Sequence, residues 1–173
     1  MRKPLIVMTP KSLLRKKEAT SPLSDLASGG FQVIIPEVAK LAPKKVKRVI
    51  FCCGKVYYDL VAERDKREIE DIAIVRIEQL YPFPHDEFAA QIELYPNARS
   101  VVWAQEEPGN QGAWHRIQHY LLRHMLADQT LSYAGRTSSA SPAVGYLQLH
   151  NEQQKALVEA ALSWDAASKQ EAA

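Results

Sequence analysis

The sequence predicts an α/β protein, a three-layer sandwich with a mostly parallel sheet. Three observations carry this expectation. From about Lys47 onward, short apolar runs of strand length alternate with segments of helical periodicity. The helical segments run to ten or more residues, enough to cross between parallel strands, and such crossovers are right-handed by default. The 173 residues, 46% apolar and 24% charged, suffice for one full-sized domain and are too few for two.

Taken in order, Leu5–Thr9 is a short apolar run closed by Pro10 and suits a strand buried on both faces. Ser21-Pro22 has the form of an N-cap followed by proline at the first helical position, and Gly29-Gly30 ends that piece. Phe31–Ile35 reads as a further short strand and Ala42-Pro43-Lys44-Lys45 as linker. Arg48–Cys53 is a continuous strand run, turned at Gly54 into a helix marked by Val56, Tyr57, Leu60 and Val61. Ile72–Ile77 is the next strand, and Pro84 opens a helix carrying Phe88, Ile92 and Leu94. Ser100–Ala104 is a third strand; it runs into Gln105–Gly112 and then a helix with Trp114, Ile117, Tyr120, Leu121 and Leu122. A last strand falls near Leu131–Tyr133. Ser139-Ala140-Ser141-Pro142 introduces a final helix built on Gln154, Leu157, Val158, Ala161 and Leu162, and the tail from Ala166 to Ala173 is expected to fray.

The formal charge of +2 hides a split: residues 1–48 hold 11 Lys/Arg against 3 Asp/Glu, and residues 49–173 hold 11 against 17. The clusters Lys11, Arg15, Lys16, Lys17 and Lys44, Lys45, Lys47, Arg48 have the charge for a polyanion. No aromatic residues interleave with them, so nucleic acid is not the expected partner. No apolar run approaches the roughly 20 residues that span a bilayer, and the amino terminus does not read as a signal peptide, which gives a cytoplasmic expectation. Cys52 and Cys53 are adjacent and read as reduced thiols, with no CxxC to suggest zinc.

The most distinctive stretch is Gln105-Glu106-Glu107-Pro108-Gly109-Asn110-Gln111-Gly112-Ala113-Trp114, at the carboxyl end of a central strand, where open α/β sheets place ligands and interfaces. Neighbouring strand residues face opposite ways, so Glu106 and Glu107 are not expected to form a catalytic dyad. Glu106, Glu107, Gln111 and Trp114 are instead interface candidates, one carboxylate capping backbone amides or pairing with an arginine. The turn Cys53-Gly54-Lys55 has one glycine where a dinucleotide fingerprint needs three. His115 and His119 share helical spacing, yet the HExxH glutamate and a third ligand are missing, so no metal site is expected. His85 reads as a helix-start residue, and His124 and His150 carry no partner in sequence. Ser138–Ser141 reads as a loop and helix cap, not as nucleophiles.

Three segments then converge: Arg2–Arg15, Val75–Pro84 with its Leu80-Tyr81-Pro82-Phe83-Pro84, and Gln105–Trp114. With Tyr133-Ala134-Gly135-Arg136 and Ser139–Pro142, they closely resemble the C-terminal end of the thiamine-diphosphate-dependent first component of 2-oxoglutarate dehydrogenases. The resemblance implies that residues 1–20 are the last strand and exit of a pyrimidine-binding domain, 21–45 a linker, and 46–165 a transketolase C-terminal-like domain that buttresses a homodimer. It implies a larger enzyme that decarboxylates 2-oxoglutarate and passes the succinyl group to a lipoamide succinyltransferase component. It further implies that thiamine diphosphate and Mg²⁺ are held by other domains and by no residue here, and that an isolated fragment is inactive. Some family members bind acetyl-CoA or an adenine nucleotide in this region; such a site needs cations for phosphates, and Arg15, Lys55, Arg76 and Arg136 are the candidates on the matching segments. The competing expectations are a free-standing nucleotide- or CoA-binding α/β module and, more weakly, a polyanion-binding protein.

Overall fold

A computed structural model describes residues 2–7 and 9–164, so the tail at 166–173 lies outside the described residues. The chain divides into two compact units, Met1–Phe31 and Gln32–Ala173.

In the first unit, the strand expected at Leu5–Thr9 is absent: Leu5–Val7 and Thr9 have no regular structure, and Leu5 is 87% exposed. An apolar run becomes a strand only when a neighbour satisfies its backbone, and this one pairs with nothing among the described residues. Single 3₁₀ turns follow at Lys11–Arg15 and Lys17–Ala19. The short helix α1, Leu23–Ala27, begins one residue later than the sequence suggests, with Pro22 itself at the N-cap, and Ser21 does not cap it.

The second unit is built on a five-stranded sheet: β1 (Ile34–Ile35), β2 (Arg48–Cys52), β3 (Ile72–Ile77), β4 (Ser100–Pro108) and β5 (Thr130–Arg136). The order is β1-β3-β2-β4-β5. All neighbours are parallel except β1, which runs antiparallel to β3. The first strand thus falls at the end of the Phe31–Ile35 run read as a short strand. It needs only two residues because the carboxylate of Glu37 carries the edge onward, accepting from the Ile74 backbone N–H at 2.6 Å. The same Oε2 accepts from the buried guanidinium of Arg64 at 2.5 Å, and only 2% and 3% of the two side chains is exposed.

Adjacent strand residues point to opposite faces, so each strand feeds two cores. Val49, Phe51, Val75, Val101 and Trp103 pack on one side with Phe88 and Ile92 of α3 (His85–Leu94) and Ile117 and Leu121 of α4 (Trp114–His124). Ile50, Cys52, Ile72, Ile74, Val102 and Ala104 pack on the other with Val56 and Leu60 of α2 (Val56–Lys66) and Leu157, Val158 and Ala161 of α5 (Leu147–Leu162). The three-layer α/β sandwich is therefore present. No described helix is long and apolar enough to cross a membrane.

Two boundaries differ from the sequence reading. Strand β4 continues through Gln105-Glu106-Glu107 to Pro108, because β5 keeps pace with it: Ala104 faces Ala134 and Pro108 faces Arg136, four positions along β4 against two along β5. The resulting bulge re-aims the two glutamates. Helix α5 begins at Leu147 with Tyr146 at its N-cap, so Ser139–Pro142 is loop and caps nothing.

Arg48 opens the central strand with its side chain buried. It donates from NH1 to the carbonyls of Ala161 and Ser163, each at 2.9 Å, and from Nε to Ser100 Oγ at 3.0 Å. Its guanidinium lies 4.4 Å from the ring centre of Trp164. Burial lowers its pKa and Asp71 partly restores it.

Candidate functional site

The chain passes from β2 to β3 in one direction along the sheet and from β3 to β4 and β5 in the other. The direction reverses between β2 and β4, the place where open parallel sheets form a crevice beyond their carboxyl ends. Gly54, with φ +70°, turns the chain there and brings Lys55 to the crevice. Lys55 Nζ lies 2.8 Å from Glu106 Oε1, near the carboxyl end of β4, and 3.2 Å from Asp59 Oδ2 on α2. Burial opposes the Lys55 charge, but Glu106 and Asp59 outweigh it and hold the ammonium above its ordinary pKa.

Gln154 of α5 extends this cluster. Its Nε2 donates to Asp59 Oδ2 and to Glu106 Oε1, both at 2.9 Å, and its Oε1 accepts from Arg136 NH2 at 3.0 Å. Arg136 ends β5 and is 7% exposed, with Gln153 Oε1 3.4 Å from NH1 and His150 Nδ1 3.1 Å from NH2. Its Nε has no hydrogen-bond partner among the described residues. A buried guanidinium surrounded by amides and an imidazole, with carboxylates one residue removed, is suited to a phosphate or carboxylate. A hollow of about 140 Å³ opens beside it, lined by Pro108, Ser138, Ser139, Ser141 and Gln153 among others.

The predicted cations are thus partly assembled. Lys55 and Arg136 are joined through Gln154 and Glu106. Arg76, at the end of β3, lies 4.3 Å over the ring of Tyr57 on the same α2, with Nε 3.7 Å from Glu78. Arg15 belongs to the first unit, exposed at the end of its 3₁₀ turn. Sequence reasoning missed Gln153 and His150, and placed Gln154 in an apolar stripe. A glutamine at a core position of an otherwise apolar helix face was the available signal for a buried polar partner.

The interface candidates divide between the two faces. Glu106 turns toward α2 and α5, while Glu107 lines a groove of about 570 Å³ on the other face with Cys53, Tyr81, His115, Arg116 and Tyr120. The bulge separates the two, so no carboxylate dyad forms. Cys53 in that groove is pushed up to about 12 by burial and by Glu107, Glu78 and Glu106, which makes it a poor nucleophile. Gln111 Nε2 donates to Ser139 O at 3.0 Å at the surface, and Trp114 packs beside Tyr133 at 5.2 Å between ring centres.

What shapes this loop is Gln105. Its Oε1 accepts from Trp103 Nε1 at 2.9 Å and from the backbone N–H groups of Ala113 and Trp114 at 3.2 and 3.0 Å. Its Nε2 donates to the carbonyl of Gln111 at 2.8 Å and, more loosely, to those of Glu107 and Pro108 at 3.3 Å. The side chain serves as the missing N-cap of α4. Gly112, with φ +68°, is required here, since a Cβ would stand 2.9 Å from Gln105 Nε2.

Of the histidines, His115 and His119 lie on α4 along the groove. His124 and His150, partnerless in sequence, meet His85 and Arg136. No three His, Cys, Asp or Glu side chains among the described residues converge to hold a metal ion. The second basic cluster does not form one surface: Arg48 points inward, and Lys44, Lys45 and Lys47 share a hollow with Glu68, Glu70 and Asp71.

Comparison with known proteins gives one family. The model described as 2-oxoglutarate dehydrogenase C-terminal matches residues 20–162. The chain is 62% identical over 162 residues to the 2-oxoglutarate dehydrogenase E1 component of Cupriavidus necator, covering 94% of this chain and 17% of that protein. It is 56% identical to the E1 component of Coxiella burnetii, over 93% and 18% respectively. It is 41% identical to the mitochondrial 2-oxoglutarate dehydrogenase of Dictyostelium discoideum, over 97% and 17%. The chain spans less than a fifth of the length of these curated relatives.

Proposed function

Because the chain belongs to the 2-oxoglutarate dehydrogenase C-terminal family, we propose that it works as the C-terminal structural and dimer-forming portion of a 2-oxoglutarate dehydrogenase E1 component. On this reading the complete enzyme is a homodimer in the cytoplasm. It carries out the oxidative decarboxylation of 2-oxoglutarate in the tricarboxylic acid cycle and hands the succinyl group to the lipoamide succinyltransferase component of the complex. Residues 46–165 correspond to the transketolase C-terminal-like domain, and Glu107 stands at the groove where a second protomer would pack. On this reading thiamine diphosphate and Mg²⁺ are held by other domains of the complete enzyme. No catalytic step is assigned to this chain. The purified 173-residue chain is expected to give no 2-oxoglutarate-dependent reductant or CO₂ above blank in the presence of thiamine diphosphate and Mg²⁺; measurable turnover would overturn the reading.

The buried, incompletely partnered guanidinium of Arg136 supports a regulatory role within that portion, with Lys55 and Arg136 contacting the phosphates of acetyl-CoA or an adenine nucleotide. The same observation serves the second reading, a free-standing nucleotide- or CoA-binding module. Acetyl-CoA or AMP is expected to raise the melting temperature of the chain, and Arg136→Ala to abolish the rise. An equal rise in that variant would remove Arg136 from the site. Stabilisation by thiamine diphosphate would contradict the domain assignment.

A further inference from the structure

We propose that His85 and His124 form an acid-sensitive clasp between α3 and α4, whose opening reshapes the groove beside Tyr120. His85 is the first residue of α3 and His124 the last of α4, and Nδ1 of the former lies 2.8 Å from Nε2 of the latter. At that distance one imidazole donates its N–H to the lone pair of the other. A first proton can sit on an outward nitrogen and leave the bond intact. A second makes both rings imidazolium, so that two N–H groups face each other and the bond becomes a repulsion.

The surroundings resist that second charge. The pair is half-buried in an aromatic box, with Phe83 and Tyr120 each 5.1 Å from the His85 ring and Phe88 6.1 Å from the His124 ring. From α3, Asp86 favours a charge on His124; from α4, Arg123 opposes it, and His119 lies a turn earlier with its ring 3.9 Å from that of Tyr120. Burial, then His85, then Arg123 together hold His124 below its ordinary value of 6.5, against Asp86. An unfolded His124 therefore takes up its proton more readily than the folded one. The contribution to stability is complete above about 6.5 and is lost as the pH falls through the folded value.

The consequence reaches the groove through Tyr120. This ring stacks on Phe83 at 5.1 Å, touches His85, and also lines the groove. Parting α3 from α4 withdraws the support behind Tyr120. The groove's wall then depends on pH while the β4–α4 turn, held by Gln105, stays fixed.

The test is an imidazole NMR titration of the 173-residue chain from about pH 8 to about pH 5, the range in which histidines charge. His124 is expected to titrate below the ordinary histidine range. In His85→Asn, which keeps a hydrogen-bonding side chain and cannot charge, the His124 midpoint moves up toward the ordinary value. Amide-exchange protection in the last turn of α4 is expected to fall on the order of tenfold on acidification of the natural chain and to stay level in His85→Asn. A His124 midpoint indifferent to residue 85, or protection that falls equally in both proteins, overturns the proposal. Should His85→Asn fail to fold, His85→Phe, which fits the aromatic box, replaces it, and the exchange profile of the natural chain stands as the second measurement.

Discussion

Gln105→Leu is expected to lower the unfolding free energy by about 3 kcal/mol and the melting temperature by on the order of 10 °C, since each buried donor left without an acceptor costs about 1–3 kcal/mol. The substitution orphans the indole N–H of Trp103, fully buried, and the backbone amides of Ala113 and Trp114 at the start of α4. It also releases the carbonyl of Gln111. Gln105→Glu separates the two halves of the side chain: it keeps an acceptor for Trp103 but sets a carboxylate oxygen against three carbonyls, so it too destabilises. Trp103→Phe in the Gln105→Leu background should recover about 1 kcal/mol by removing the stranded donor, a coupling that urea unfolding of all four proteins measures directly. A loss below about 0.5 kcal/mol in Gln105→Leu, the size of an ordinary surface change, would show that water replaces the side chain at no cost.

The second large effect lies beside β1, at the edge of the sheet. Arg64→Met should cost about 3–5 kcal/mol, the usual penalty for stranding one partner of a buried ion pair. Glu37 would then lose its guanidinium, although it keeps the Ile74 N–H, while Asp65, the other carboxylate on Arg64 at 3.1 Å, is largely exposed and contributes little. The double variant Glu37→Leu with Arg64→Met should be less destabilised than Arg64→Met alone, because apolar groups of similar size replace the pair. Strictly additive costs in chemical denaturation would mean that the two side chains act independently.

The sequence made the interior legible where burial alone sets the pattern. Ile72–Ile77 was bounded to the residue and the cores on both sheet faces follow from consecutive apolar runs, since a strand covered on both sides has no alternation to misread. The family resemblance carried by Gln105–Trp114 and Val75–Pro84 is borne out by the family match and the relatives. Three things were not legible. Leu5–Thr9 has strand composition, but strand formation depends on a neighbour that local sequence does not encode. The extension of β4 to Pro108 depends on a bulge set by pairing with β5, a contact about 30 residues away. The polar cluster joins four elements: Lys55, Arg136 and Glu106 were each candidates, but their meeting through Gln154 of α5 depends on packing that local sequence does not encode. Glu106 was singled out and Gln105 was passed over, because charge is conspicuous in a sequence while a fully hydrogen-bonded amide is not.

Arg48 bears on how such a portion can be moved between proteins. Its bonds to Ala161 and Ser163 span 113 and 115 positions of chain, so the polypeptide enters the central strand and leaves the last helix at one spot. A compact body whose entry and exit meet can be spliced, fused or circularly permuted at that seam with its interior undisturbed. The guanidinium thus acts as a buckle. A transferred portion must also carry the residues just before that seam, because Ile34 and Ile35 of β1 pair with β3, Glu37 holds Arg64 and the Ile74 N–H, and Val46 is buried in the same core.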